Sequence, residues 1–302
     1  MFRLAHLSDI HIGPLPDVEL YQLVSKRAIG YVNWHRNRRH LLQDDVLATI
    51  VADMQAAGAD HIAVTGDLVN LALDAEIEVA KLWLQTLGPA DSVSVVPGNH
   101  DAYVPGAFDK ACRAWSPWMC GDGANSPVTR ASFPYLRVRG PVALIGCTSA
   151  RATAPFMANG FFRENQAARL AGALDDARKR GLFRVVMIHH PPVRGAVTQH
   201  KRLFGIGLFQ KVLRKHGAEL VLHGHSHLPS LSWIEGRDGM VPVVGVAAAG
   251  QSAGSHKPAA QFNLIDIDGE PGNWRVGLVR RGLTGQSTPP ADIVRMDLAA
   301  SA

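Results

Sequence analysis

The stretch VTGDLVN, Val64–Asn70, decides how the rest of the chain is read. An apolar run, His61–Thr65, leads into Gly66-Asp67. A run of that length closed by a turn signal reads as a buried strand. A carboxylate at such a strand end can turn one oxygen to each of two cations, and a carboxylate bridging two ions roughly 3.5–4 Å apart is the core of a two-metal hydrolase. Four other stretches repeat the pattern, each a cluster of Asp, Asn or His after a buried-strand run: Asp9-Ile10-His11, Gly98-Asn99-His100-Asp101, His189-His190-Pro191-Pro192 and Gly224-His225-Ser226-His227.

The segments between these clusters set the architecture. Phe2–Leu7 reads as the first strand, and on an extended segment Asp9 and His11, two apart, face the same way and can grip one ion together. Leu41–Ala57, apolar at positions 42, 46, 47, 50, 51 and 54, has helical spacing, and Asp74–Leu87 is a second amphipathic helix. Ser92–Val96 is the strand before Asn99, so the chain from Asp67 to Asn99 fits one βαβ crossover. Parallel strands then bring both clusters to one sheet edge, where α/β folds bind ligands. Further strands are expected at Tyr135–Val138, Val142–Cys147, Phe183–Ile188 and Glu219–Leu222, with helices at Ala107–Trp115, Glu164–Arg180 and Lys201–His216. The prolines after His190 hold the imidazoles on a sharp turn. Leu231–Ile234, Val241–Val246, Gln261–Ile267 and Trp274–Arg280 suggest a second, partly antiparallel sheet stacked on the first. No repeat or linker divides residues 1–285, which read as one domain, and the polar, Pro-rich stretch 286–302 reads as a loosely held tail.

Composition bounds the partners. Of 302 residues, 47% are hydrophobic and 19% charged, which excludes global disorder. A formal charge of +5 mildly favours anionic partners. Cys112, Cys120 and Cys147 form no disulfide framework or CxxC site and fit a reducing compartment. Arg3, His6 and Asp9 occupy the place of a signal-peptide core, and no apolar run approaches the roughly 18 residues of a membrane span. A cytoplasmic protein is expected, with peripheral membrane contact open. The segment 17–40 mixes Leu20, Tyr21, Leu23, Val24, Ile29, Tyr31, Val32 and Trp34 with Lys26, Arg27, Arg36, Arg38 and Arg39. It reads either as a helix packed on the domain with a solvated basic end, or as a lid resting on anionic lipid or a phosphate-rich substrate. Aromatic and basic residues interleave only there, so no stable nucleic-acid partner is expected. Trp115 and Trp118 suit either core packing or the pairing of subunits in a homo-oligomer.

The ligand types narrow the metals. Imidazole with carboxylate suits Mn, Fe, Zn or Co better than Ca, and the absence of thiolate argues against structural zinc. His6 reads as a core histidine, while His190 and His223 flank the ligand pattern.

Taken together, DxH, GD, GNHD, H and GHxH, in this order and each after a strand, resemble the calcineurin-like metallophosphoesterases over roughly residues 1–250. No metal-ligating position departs from the family pattern. The resemblance implies a four-layer α/β/β/α sandwich with one ion on Asp9, His11, Asp67 and His227, and a second on Asp67, Asn99, His189 and His225. It also implies Mn or Fe as the leading metals and a metal-bridging hydroxide that attacks phosphorus in line. His100 would be the general acid and Asp101 its orienting carboxylate. The run from HHPPV through HKRLFG to HGHSH looks like the bacterial phosphodiesterase branch, which includes class III cyclic-nucleotide phosphodiesterases and glycerophosphodiesterases. A phosphodiester substrate follows, with His190, Arg194, His200, Lys201 and Arg202 expected to face it. The alternative is a UDP-2,3-diacylglucosamine pyrophosphatase of lipid A synthesis acting at the membrane surface, with 17–40 covering an acyl groove. A binding scaffold on a dead phosphoesterase fold would lack ligands or the general acid, and all are present.

Overall fold

Two six-stranded sheets face each other in the computed structural model, which describes residues 1–38, 44–124, 127–286 and 288–298. The first sheet holds β1 (Phe2–Leu7), β2 (His61–Val64), β3 (Val93–Val95), β12 (Gln261–Glu270), β13 (Asn273–Gly282) and β14 (Ala291–Asp297), in the order β14-β13-β12-β1-β2-β3. The second holds β4 (Tyr135–Arg139), β5 (Val142–Gly146), β7 (Phe183–Met187), β9 (Leu220–His223), β10 (Ser230–Glu235) and β11 (Met240–Gly245), in the order β10-β11-β9-β7-β5-β4. The strands run parallel along one side of the first sheet, β1, β2 and β3, and through the middle of the second, β5, β7, β9 and β11. The remaining pairings are antiparallel. A separate parallel ribbon pairs β6 (Gly160–Phe161) with β8 (Leu203–Phe204).

Side-chain alternation assigns each residue to a layer. Phe183, Val185 and Met187 of β7 enter the core shared by the two sheets, while Val186 and Ile188 point the other way. There they meet Leu170 and Leu174 of α5 (Glu164–Lys179) and Phe209 and Leu213 of α6 (Ile206–His216). On β9, Leu220 and Leu222 face inward and Val221 outward, by the same period of two. Strands covered on both faces read as nearly continuous apolar runs, and the one charged residue of FRVVMI, Arg184, is buried with its Nε on Glu219 Oε2 at 2.9 Å. The same apolar cluster takes in both faces of the first sheet, Leu4 and Ala5 of β1 among them, and continues into Ile50 and Met54 of α2 (Asp44–Ala56), Leu84 of α3 (Asp74–Leu87) and Phe108 of α4 (Ala107–Ala114). The layers are therefore helix, sheet, sheet, helix, as expected. Phe183, fully buried and edge-on to Trp274 at 5.4 Å, illustrates the adhesive; burying such a side chain is worth about 2–3 kcal/mol.

Several expectations change. The stretch expected as a loose tail contains β14, an edge strand antiparallel to β13 and tied to it by Arg281 on Asp292 at 2.5 Å. Its side chains are mostly exposed, so backbone pairing rather than hydropathy makes it a strand. Trp115 and Trp118 are buried, with Trp115 Nε1 donating to the Ile77 carbonyl at 2.9 Å, and they present no apolar face for pairing subunits. The helix expected from Lys201 starts instead at Ile206, after β8 and Gly205. In the 17–40 segment, α1 (Lys26–Asn33) continues into a π-helical turn at Trp34–Arg38, and Lys26 and Trp34 are buried. Arg39, His40 and Leu41, expected in the basic cluster and at the start of the next helix, lie outside the described residues. Among the described residues no helix is long and apolar enough to cross a membrane.

Candidate metal centre

All five clusters sit just past the C-terminal ends of parallel strands: Asp9 and His11 after β1, Asp67 after β2, Asn99 and His100 after β3, His189 after β7, and His225 and His227 after β9. The two sheets thus bring their ends together around one point. The backbone there is strained. Asp9, His11, Asp67, His225 and His227 have φ of 54°, 47°, 56°, 68° and 57°, the left-handed region that costs non-glycine residues about 1 kcal/mol or more each. Asp9 and His11 accordingly meet through a left-handed turn, and not through the extended spacing expected from sequence.

Three overlapping groups of donor atoms form. Asp9, His11 and His227 bring one atom each within 4.8 Å of one another, so do Asp67, His189 and His225, and His11, Asp67 and His100 link the two. Asp67 stands between them. Its Oδ2 lies 3.9 Å from His11 Nε2 and 3.3 Å from His189 Nε2, whereas its Oδ1 accepts the His100 backbone N–H at 2.7 Å. One oxygen faces both groups, in place of the expected one oxygen for each. Asn99 Oδ1 is 3.3 Å from His189 Nε2. Gly98 is required for this approach, since a Cβ there would fall 2.2 Å from Asp67 Oδ1.

The imidazoles are oriented as ligands. His11 Nδ1 faces the Val69 carbonyl at 3.1 Å, His189 Nδ1 the Thr65 carbonyl at 2.6 Å, and His225 Nε2 the Lys201 carbonyl at 2.9 Å. A carbonyl only accepts, so each of these nitrogens carries a proton and the opposite nitrogen is the one turned to the centre, the arrangement usual for metal-bound histidine. Asp9 Oδ2 accepts the His225 N–H at 2.9 Å, while its buried Oδ1, 3.3 Å from His227 Nε2, makes no hydrogen bond. Buried carboxylates and imidazoles converging in this way fit divalent transition metals.

Electrostatics agree. Burial opposes a charge on His189, but Asp67 and then Asp9 outweigh it and push the imidazole up to about 9. Burial likewise opposes the Asp9 carboxylate, yet His227, His189 and His11 hold it well below its usual range. The centre therefore attracts positive charge. Burial, with His190 and His189 adding to it, keeps His225 neutral by driving it well below its ordinary value.

His100 lies at the edge of the centre, its ring edge-on to His11 at 4.8 Å and stacked on Tyr103 at 5.2 Å. Its Nδ1 is fixed by the Asn70 carbonyl at 2.6 Å. Asp101, expected to orient His100, instead accepts backbone N–H groups of Asp67, Leu68, Val69 and Gly98 at 2.9, 2.8, 3.3 and 2.7 Å. It braces the metal-ligand turns, and the orienting partner of His100 Nδ1 is a carbonyl with no sequence signature. Burial and the nearby Asp67 carboxylate push Asp101 up to about 7.

The residues expected to face substrate divide. His190 is buried with both nitrogens engaged, Nδ1 with Ser149 Oγ at 2.8 Å and Nε2 with the Ala158 carbonyl at 3.1 Å, so it is structural. Arg194, His200, Lys201 and Arg202 are exposed. Lys201 serves the centre through its carbonyl on His225, and Arg202 packs over Phe204 at 4.4 Å. His223 is structural, on the Gly224 carbonyl and Ser230 Oγ. His6 is the expected core histidine, paired with Thr65 and Asn263. Sequence reasoning missed Asn70, Thr65 and Tyr103; only the GNHDxY proximity of Tyr103 to His100 could have flagged any of them.

Comparison with known proteins places the chain. The family described as Calcineurin-like phosphoesterase matches residues 2–229. Among solved structures, a dimetal phosphatase from Danio rerio is similar with a TM-score of 0.59 at 14% identity, covering 97% of this chain and 98% of that one. The purple acid phosphatase PPD1 from yellow lupin has a TM-score of 0.51 at 14% identity, covering 96% of this chain and 53% of that one. A 5'-nucleotidase precursor from Thermus thermophilus has a TM-score of 0.51 at 16% identity, covering 91% of this chain and 53% of that one. This chain thus spans about half the length of the last two. No curated protein matches in sequence. With the match reaching across most of the chain and over every strand-end cluster, the protein belongs to the calcineurin-like phosphoesterase family, metal-dependent phosphoester hydrolases with a dinuclear metal centre.

Proposed function

We propose that this chain hydrolyses phosphodiesters of the cyclic-nucleotide or glycerophosphodiester type. Asp9, His11, His227 and Asp67 would hold one ion, and Asp67, Asn99, His189 and His225 the other. The observation that carries the two-ion part of this reading is the placing of Asp67 Oδ2 between the His11 and His189 imidazoles; the diester preference rests on the resemblance of the HHPPV to HGHSH run to the phosphodiesterase branch. Mn or Fe leads, with Zn or Co compatible with the same donors. Two such ions, when bound, activate water and neutralise phosphoryl charge.

The chain's own groups supply the rest. Because the Asn70 carbonyl accepts a hydrogen bond from Nδ1–H of His100, the charged imidazole carries its transferable proton on Nε2. As the P–O bond to the leaving group breaks, that proton passes to the leaving oxygen. An alkoxide leaving group, as in a natural diester, needs this proton far more than an activated phenolate does. Buried, free cysteines at 112 and 147 fit a reducing, cytoplasmic setting. A panel of cyclic nucleotides, glycerophosphodiesters, bis-nitrophenyl phosphate and nucleoside 5'-monophosphates tests the reading. Higher kcat/KM on diesters supports it, and faster monoester turnover overturns it.

One observation favours the lipid reading as a second. Leu20, Tyr21 and Val24 are 87%, 70% and 71% exposed, and Ile29, Val32 and Arg36 line an adjacent groove. Such a face suits a UDP-2,3-diacylglucosamine pyrophosphatase working at an anionic membrane. Its test is co-sedimentation with anionic liposomes: binding lost on replacing Leu20, Tyr21 and Val24 by serine supports it, and no binding by the unaltered chain removes it.

A further inference from the structure

Helix α1 reaches both supports of His100. Lys26, in its first turn, is buried although Leu20, Tyr21 and Val24 just before it are exposed. Its ammonium donates to Thr153 Oγ1 at 2.8 Å and to the Met157 carbonyl at 2.7 Å, and lies 4.6 Å from the centroid of the Tyr103 ring. A buried ammonium persists only where its protons find such partners. Tyr103 in turn stacks on His100, with 16° between the ring planes.

The next residue holds the other support. Arg27 donates from Nε to the Leu71 carbonyl at 3.0 Å and from Nη2 to the Ala72 carbonyl at 2.5 Å. These carbonyls follow Asn70, whose own carbonyl fixes His100 Nδ1. From the other side Glu76 accepts the N–H groups of Asn70, Leu71 and Leu73 at 2.8, 3.0 and 3.0 Å. The close approach of helix to site depends on Gly30, where a Cβ would fall 2.4 Å from Tyr103 Oη and 2.6 Å from Leu71 Cδ2. Burial lowers Lys26 to about 8, with the Asp67 carboxylate opposing.

We propose that α1 is the positioning element of His100, with Lys26 acting through Tyr103 and Arg27 through the 70–72 turn to hold the imidazole at the leaving group. This rests on His100 as general acid and adds the residues that aim it. Neither cation touches the reacting atoms.

The test measures kcat on diesters with good and poor leaving groups, together with metal content, for Lys26→Met, Lys26→Arg, Tyr103→Leu and His100→Ala. Lys26→Met is expected to slow poor-leaving-group esters about tenfold, the scale of a misplaced catalytic group. It should affect nitrophenyl esters far less and leave metal content unchanged. Lys26→Arg should recover most of the loss, and Tyr103→Leu, which keeps both oxygen partners of Lys26, should reproduce the selectivity. Added to His100→Ala, the Lys26→Met change should do nothing more. Uniform slowing of all esters, a rise in KM alone, or a further loss in the His100→Ala background would overturn the inference while leaving the general acid standing. If His100→Ala itself treats good and poor leaving groups alike, the general-acid reading falls, and this one with it.

Discussion

Asp67 shows how much chemistry one side chain carries. Its Oδ1 accepts a backbone N–H, while its Oδ2 faces the His11 and His189 imidazoles. Asp67→Asn keeps the shape and removes the charge. Loss of several kcal/mol of charge stabilisation corresponds to a fall in kcat of roughly three orders of magnitude. Bound metal, read by elemental analysis, should fall with it; retained activity would remove Asp67 from the bridging role. For His100→Ala both metals should stay, and esters with poor leaving groups should slow by about 10²–10⁴-fold. Nitrophenyl esters should slow much less.

At the scale of elements, the N-terminus of α3 is a control point. Glu76 sits in its first turn and reaches back to the N–H groups of Leu71 and Leu73, satisfying donors that a helix start leaves open. It thereby shapes the Asn70–Leu73 turn that presents the carbonyl to His100. Glu76→Ala strands several buried N–H groups and should cost about 2–4 kcal/mol in a urea melt. An unchanged midpoint would show that the turn holds without it. Backbone groups such as these carry no residue identity. That is why Asp101 reads from sequence as the partner of His100, although its carboxylate braces the turns at Asp67–Val69 and Gly98.

For the whole molecule, buried neutral histidines set the acid limit. His61, bonded to Ser94 Oγ at 2.8 Å, is lowered to about 3 by burial and then by Arg137 and Arg139; His6 is lowered to about 3 by burial and then by His223. Unfolded, each titrates near 6.5, so between pH 6.5 and 3 the unfolded chain binds protons that the folded chain does not. Stability is therefore full above pH 6.5 and falls on acidification, by up to about 1.4 kcal/mol per pH unit for each histidine. Urea midpoints at about pH 7.5 and about pH 5 should differ accordingly, and less so in His61→Phe. Metal loading should weaken in the same direction, because the proton that Asp67 and Asp9 hold on His189 must leave first. Chelation should abolish activity and Mn or Fe should restore it; indifference to chelators would contradict a metal-dependent reaction.

That Asp9, His11, Asp67, Asn99, His189, His225 and His227 gather at the ends of buried strands was legible in the chain, because apolar runs closed by Gly, Asp or Pro are local signals. The edge strand β14, with its exposed side chains, was not, since only pairing with β13 makes it a strand. Nor could the sequence tell which Asp67 oxygen is shared, which nitrogen each imidazole offers, or that Lys26 lies under Tyr103 rather than in solvent. Those were decided by tertiary structure, because they depend on carbonyls and ring faces brought together from segments far apart in the chain, and a carbonyl is the same group on every residue.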